Sequence, residues 1–368
     1  MKIGIPKEQK DNESRVGLTP AGVGQLVLDG NEVFVQKGAG INTGITDEEY
    51  IKSGATIVET NEELYENTKL IIKVERPLLS EIKLLKPHHI LYSYLHLAAQ
   101  KEATLELLKS GATCIGYETI ILKDGSIPIL SPMSEVAGKM AVQVGSYYLQ
   151  KNNGGMGKLL GGVPGVERGK VVVLGAGVAG QSAIKAAFGL GAEVTAIDID
   201  VNKLRYLDDS YKSQITTLYS TPKNIEKSVA SADLLIGTVL IPGGKTPCLV
   251  TKEFISSMQK GSVIVDVAID QGGCFETSKI TSLENPTYSV DGVVHYCVGN
   301  MASAYPLTST LSCENSILKY ARAIACRGLK GACEIYPELL GGINIKDERV
   351  TCRKVADSLN LDYVGVGF

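Results

Sequence analysis

The stretch "KVVVLGAGVAGQSAIKAAFGLGAEVTAIDID" constrains this chain more than any other. An apolar β-branched run ends in Gly175, Gly177 and Gly180 at GxGxxG spacing; a helical pattern follows, and a second apolar run closes on Asp198. This is a whole strand–turn–helix–strand unit, with its acid about 20 residues past the glycines. Gly175 permits the tight turn, Gly177 lets the backbone approach a pyrophosphate, and Gly180 lets helix and strand pack closely. The helix start at Val178 and Ala179 offers N–H groups to the phosphates. A carboxylate at Asp198 would bond a ribose 2′-hydroxyl and repel a 2′-phosphate, so the expected cofactor is NAD rather than NADP. Lys203 and Arg205 follow downstream, and Lys203 joins the cofactor candidates.

With 368 residues the chain exceeds one ordinary core, and two domains are expected. Before the glycine unit, short runs such as "KIGIP", "EVFVQ", "LIIKV" and "HILYSYL" alternate with amphipathic pieces. That alternation predicts an α/β fold with mostly parallel sheets. "LSPMSEVAGKMAVQVGSYYLQK" reads as one long helix, and residues from about 307 to 328 as another. The tail, "GGINIKDERVTCRKVADSLNL", reads as a short strand plus a helix.

Composition narrows the function classes. A formal net charge of −3 supplies no basic field for nucleic acid or anionic lipid. No apolar run reaches the length of a membrane span, and the first residues carry no secretory pattern, so a cytoplasmic location is expected. The eight cysteines are scattered, with no CxxC pair and no clustering with His, and neither a zinc site nor a disulfide framework is expected.

In open α/β sheets, ligands bind beyond the carboxyl ends of the strands. Arg15 follows the first strand, Lys73 ends "LIIK", and His96 ends "ILYSYL". Together they would suit a small 2-amino or 2-oxo acid. Arg grips a carboxylate in bidentate fashion, Lys acts as a point charge on oxygen, and His moves a proton near neutral pH. Asp270, at the end of "SVIVDVAID", is the matching candidate in the second domain, and Asp266, inside that strand, reads as structural.

At this point the sequence resembles the alanine dehydrogenase and transhydrogenase α-subunit family over essentially its whole length. The resemblance rests on "KIGIPKE", "ESRVGLTP", "YLHLAA", "SPMSEVAGKMA", "LLGGVPGV", "VVVLGAGVAG", "VDVAIDQGGC" and "HYCVGNM". It implies two Rossmann-like domains, an NAD-binding domain (129–304) inserted into a discontinuous substrate domain (1–128 and 305–368), with long linking helices. It implies a homo-hexamer that interconverts L-alanine with pyruvate and ammonium. Arg15 and Lys73 fall on the family's substrate-binding positions, and His96 and Asp270 on its catalytic ones. Ser134, Asn300 and Met301 would lie near the nicotinamide, and the stretch from Val239 and Leu240 along the adenosine; Val267 and Ile269 complete the cofactor candidates.

The chain departs from the family pattern in two places. "KVERP" stands where KVKEP is usual, exchanging charges at Glu75 and Arg76. "NMASAYPLTST" replaces NMPGAVPRTST, so Ala302, Ser303 and Tyr305 alter a loop expected near the nicotinamide. Three other readings stay open: a transhydrogenase-like NAD(H)-binding subunit, a dehydrogenase of another amino acid, and a non-catalytic NADH sensor.

Overall fold

The computed structural model describes residues 1–239 and 246–368. The chain divides into two compact units, residues 1–133 with 303–368, and residues 134–302. The first break falls inside the long helix Leu130–Tyr148.

Among the described residues fifteen strands form two sheets. β1 (Lys2–Ile5), β2 (Glu32–Gln36), β3 (Thr56–Val58), β4 (Leu70–Ile72), β5 (Ile90–Ser93) and β6 (Thr113–Gly116) belong to the first unit. β7 (Lys170–Leu174), β8 (Glu193–Asp198), β9 (Thr216–Tyr219), β10 (Leu234–Gly237), β11 (Val263–Asp266), β12 (Thr287–Val290) and β13 (Val293–Tyr296) make the second. β14 (Ile343–Lys346) and β15 (Arg349–Val350) return to the first.

The strand orders explain where function can sit. The first sheet runs β15-β14-β6-β5-β4-β1-β2-β3, with parallel pairings except for the antiparallel pairs β6–β14 and β14–β15. The second runs β12-β13-β11-β10-β7-β8-β9, parallel except for β12. In the parallel part of each, the order reverses once, between β1 and β4 and between β7 and β10. Such a switch point opens a crevice beyond the strand ends, which is where α/β folds bind ligands.

Sequence accounts for the central strands. β4, β5, β10 and β11 are buried at every position, as strands covered by helices on both faces must be. Threonines cap four of the helices: the Thr19 hydroxyl accepts from the Ala21 N–H, and the Thr60, Thr221 and Thr251 hydroxyls accept from the backbone N–H three residues on. Close packing does the rest. A Cβ on Gly4 of β1 would come within 2.6 Å of Leu64 Cδ2, so glycine lets helix Asn61–Asn67 lie directly on the strand. Leu64, Ile71, Leu91 and Cys114 share one core in the first unit, and Val172, Leu235, Ile264 and Phe275 one in the second.

Two elements differ from the sequence reading. The tail forms a hairpin, β14 and β15, before helix Arg353–Leu359, because β14 pairs with the edge strand β6 and draws a partner after it. The helix expected over 307–328 runs from Pro306 to Ile335, broken at Gly328, whose φ of 69° ends regular helical geometry where the expected helix stopped.

Candidate active site

In the first unit the three singled-out residues follow β1 and β4, the strands at the switch point, and β5 beside β4. Arg15 lies in the loop before helix Pro20–Leu28 and is 2% exposed. Its Nε donates to Glu13 Oε1 at 2.7 Å and its Nη2 to Glu13 Oε2 at 2.5 Å. Glu75 Oε1 stands 3.5 Å from the same Nη2, and Met133 Sδ 3.3 Å from Nη1. Burial works against the charge, but Glu13 and Glu75 outweigh it, and the guanidinium is held above its already high pKa.

Lys73 directly follows β4 and is wholly buried. Its ammonium sits 2.7 Å from Glu81 Oε1 and 3.2 Å from Glu8 Oε2. Burial alone would depress its pKa, yet the two carboxylates raise it, and the amine stays charged. Burial pushes the Glu8 carboxyl up to about 7, against the pull of Lys73.

His96 lies three residues past β5, exposed, with a left-handed φ of 49°. Glu118 makes that conformation: its Oε1 accepts the His96 N–H at 2.7 Å and both its oxygens the Leu95 N–H at 3.3 Å. The imidazole stacks on the Tyr94 ring, centroids 5.9 Å apart and planes within 9°. His89 and His295 supply the contrast. Each is buried, with both ring nitrogens hydrogen-bonded, and serves packing.

In the second unit the glycine motif spans the end of β7 and the start of helix Val178–Gly189. Gly175 has φ 98°, and a Cβ on Gly180 would lie 1.9 Å from Gly175 O; both positions require glycine. Gly177 differs, for a Cβ there meets nothing within 4 Å, so its bareness leaves space rather than fills it. Among the described residues no side chain caps this helix, so its first N–H groups are offered to a phosphate. Thr238, beyond β10, donates to Leu174 O at 2.9 Å and Gly175 O at 3.1 Å and fixes the turn. Asp198 ends β8, half-buried, and accepts from Ala176 N–H at 2.5 Å and Asp200 N–H at 2.8 Å, with lone pairs left for a ribose. The residues fit a dinucleotide.

The remaining candidates lie on other elements. Val178 is exposed and Ala179 half-buried at the helix start; Lys203 is exposed on helix Val201–Ser210. Val239 follows β10, Val267 and Ile269 follow β11, and Leu240 lies outside the described residues. Ser134 is half-buried on helix Leu130–Tyr148. Asp270 is exposed in the turn Ile269–Gln271, where its carboxylate accepts the Asn300 N–H at 3.0 and 3.2 Å; Met301 follows, buried. Asp266 anchors that turn from below, accepting from Ala268 N–H, Cys274 N–H and the Ser278 hydroxyl.

The sequence reading missed the carboxylates. Glu8, Glu13, Glu75 and Glu81 surround the cations, and Glu118 positions His96. Only Glu13, two residues before Arg15 in "ESR", was close enough in sequence to suggest its partner.

With this geometry in hand, the chain can be set beside known proteins. The model of the alanine dehydrogenase/PNT N-terminal domain matches residues 4–137, and that of the C-terminal domain residues 141–353. The chain belongs to the alanine dehydrogenase/PNT family. An alanine dehydrogenase of Methanococcus maripaludis is 51% identical, covering 99% of this chain and 98% of its own length. One from Mycobacterium tuberculosis is 45% identical over 99% of this chain and 98% of its own. A solved L-alanine dehydrogenase superposes with a TM-score of 0.94 at 46% identity, covering 98% of this chain and 99% of its own. A transhydrogenase from Sinorhizobium meliloti gives 0.81 at 26%, covering 96% and 99%. The fold described above is thus that of the solved L-alanine dehydrogenase.

Proposed function

We propose that this chain is an NAD-dependent alanine dehydrogenase, which oxidatively deaminates L-alanine to pyruvate and ammonium and reverses the reaction. The observation that carries this reading is the end-to-end match, at 45 to 51% identity, to alanine dehydrogenases of distant organisms. It outweighs the transhydrogenase reading, whose structural likeness is lower on both measures. Among the described residues no helix is long and apolar enough to cross a membrane.

Unit 134–302 is the nucleotide-binding domain, and the discontinuous unit binds substrate. Gly175, Gly177, Gly180 and the helix start at Val178 and Ala179 would hold the pyrophosphate, and Asp198 the ribose. Ser134, Lys203, Val239, Leu240, Val267, Ile269, Asn300 and Met301 would line the rest of the cofactor. NAD, when bound, accepts the hydride from the substrate's α-carbon.

The protein's own groups do the remaining work. Arg15, held rigid by Glu13, would take the substrate carboxylate through its planar fork. Lys73 would bind and stabilise the oxygen that develops charge as water adds to the iminium. His96, with its ring open on a fixed backbone, would move protons during water addition and ammonia loss. Asp270 would hydrogen-bond the amine and the attacking water. Six copies in the cytoplasm complete the reading, supported by the family resemblance alone and checked by sedimentation. Incubation with NAD and L-alanine should yield pyruvate, ammonium and NADH in equal amounts; a single missing product contradicts the reaction.

A further inference from the structure

One buried charge at the first switch point has no part in the scheme above. Glu75, two residues beyond Lys73, is 5% exposed. Among the described residues its Oε2 accepts from Lys10 Nζ at 2.9 Å, while its Oε1 makes only the long 3.5 Å approach to Arg15 Nη2. Glu13 engages Arg15 through both carboxylate oxygens; Glu75 leaves most of the acceptor capacity of Oε1 uncommitted. Burial would neutralise the carboxyl, but Lys10, Arg15 and the nearby His96 hold it below the usual carboxylate range, so it is an anion.

A substrate carboxylate docked on Arg15 would therefore arrive beside a second, fixed anion. Two carboxylates on one guanidinium edge repel unless a cation lies between them. In an amino acid the ammonium is one carbon away from the carboxylate, and it is the group that can fill that place. A 2-oxo or 2-hydroxy acid brings the anion without the cation.

We propose that Glu75 is a specificity-determining residue whose carboxylate binds the substrate's ammonium group, so that the site selects 2-amino acids over acids of the same skeleton lacking the amine. This rests on the alanine dehydrogenase reading and names a residue which that reading does not use. The exchanged charges in "KVERP" then have a consequence: the residue after Lys73-Val74 presents an anion, not a cation, to the substrate.

Steady-state kinetics in both directions on the full-length chain tests this, with Glu75→Gln and Glu75→Asp. In Glu75→Gln the KM values for L-alanine and for ammonium should rise together by about tenfold, the effect of losing one charge-assisted hydrogen bond. The KM for pyruvate should not rise, and Glu75→Asp should recover part of the loss. Equal rises for L-alanine and ammonium cancel in the overall equilibrium constant, as they must. A pyruvate KM that rises as far as that of L-alanine, or a fall in kcat alone, overturns the proposal. Calorimetric titration of the NADH-loaded chain with L-alanine and with propionate, which lacks the amine, decides the same point without turnover. The preference for L-alanine should collapse in Glu75→Gln, and an unchanged preference overturns the assignment. A wild-type chain that binds L-alanine without oxidising it overturns the dehydrogenase reading instead, and the titration still judges Glu75.

Discussion

Glu13 holds Arg15 through two parallel hydrogen bonds, Nε to Oε1 and Nη2 to Oε2, with both side chains almost wholly removed from water. Two residues apart in sequence, they form a rigid unit that aims a permanent cation from a loop. Glu13→Gln keeps the size and removes the charge, leaving a buried guanidinium short of its partner. We expect a loss of about 3 kcal/mol in stability, read as a lower Tm. The KM for L-alanine should rise with it. Arg15→Lys should raise KM further, because a point charge cannot replace the bidentate fork.

Lys73 has the opposite arrangement, one cation between Glu8 and Glu81. Lys73→Met should cost about 3 to 5 kcal/mol, since it strands buried carboxylates, and should abolish turnover. Adding Glu8→Gln to that variant should restore part of the Tm and none of the activity. Recovered activity would show that Lys73 only balances charge.

His96 sits at φ 49°, a conformation asparagine tolerates and alanine does not. His96→Asn should therefore fold with a near-native Tm while kcat falls by about a hundredfold, as loss of a general acid–base group does. If kcat survives in the asparagine variant, the backbone and not the imidazole is what matters at this position.

Two glycines of one motif should behave differently. Gly180→Ala drives a methyl into Gly175 O and should leave the second unit unfolded. Gly177→Ala has room on the protein side, so the fold should hold while the affinity for NAD, measured by fluorescence titration of NADH, drops.

Asp266 supplies a pH dependence. Burial raises its carboxyl from 3.8 to about 6, against the hydrogen bonds from Ser278, Cys274 and Ala268. A folded pKa above the unfolded one means that the native state holds a proton which the unfolded chain has released. The contribution is complete below pH 3.8 and is lost as pH rises through 6, at up to about 1.4 kcal/mol per pH unit. Asp266→Asn cannot ionise, so its Tm deficit against wild type should be largest near the acid end and shrink as pH rises towards 7. A constant deficit would mean that Asp266 is already charged throughout.

Much of this organisation was legible in the sequence. The βαβ fingerprint carried its own geometry because the turn, the close approach and the helix start all lie within a few residues of Gly175. The same holds for β4 and β5, where unbroken apolar runs mark central parallel strands and place Lys73 and His96 at their ends. What stayed hidden depends on pairing across distance. Glu8 reaches Lys73 from 65 positions away, and Glu75 meets Lys10 and Arg15 rather than its chain neighbour. The tail hairpin was hidden for the same reason, since β14 owes its existence to β6 and not to its own short sequence.

The most direct measurement follows NADH formation from NAD with L-alanine, beside D-alanine, glycine and L-serine, in wild type and His96→Asn. Turnover of L-alanine above the other amino acids, lost in the variant with its fold intact, is the expected result. NADH binding to the wild-type chain with no amino acid oxidised would contradict the account at its centre.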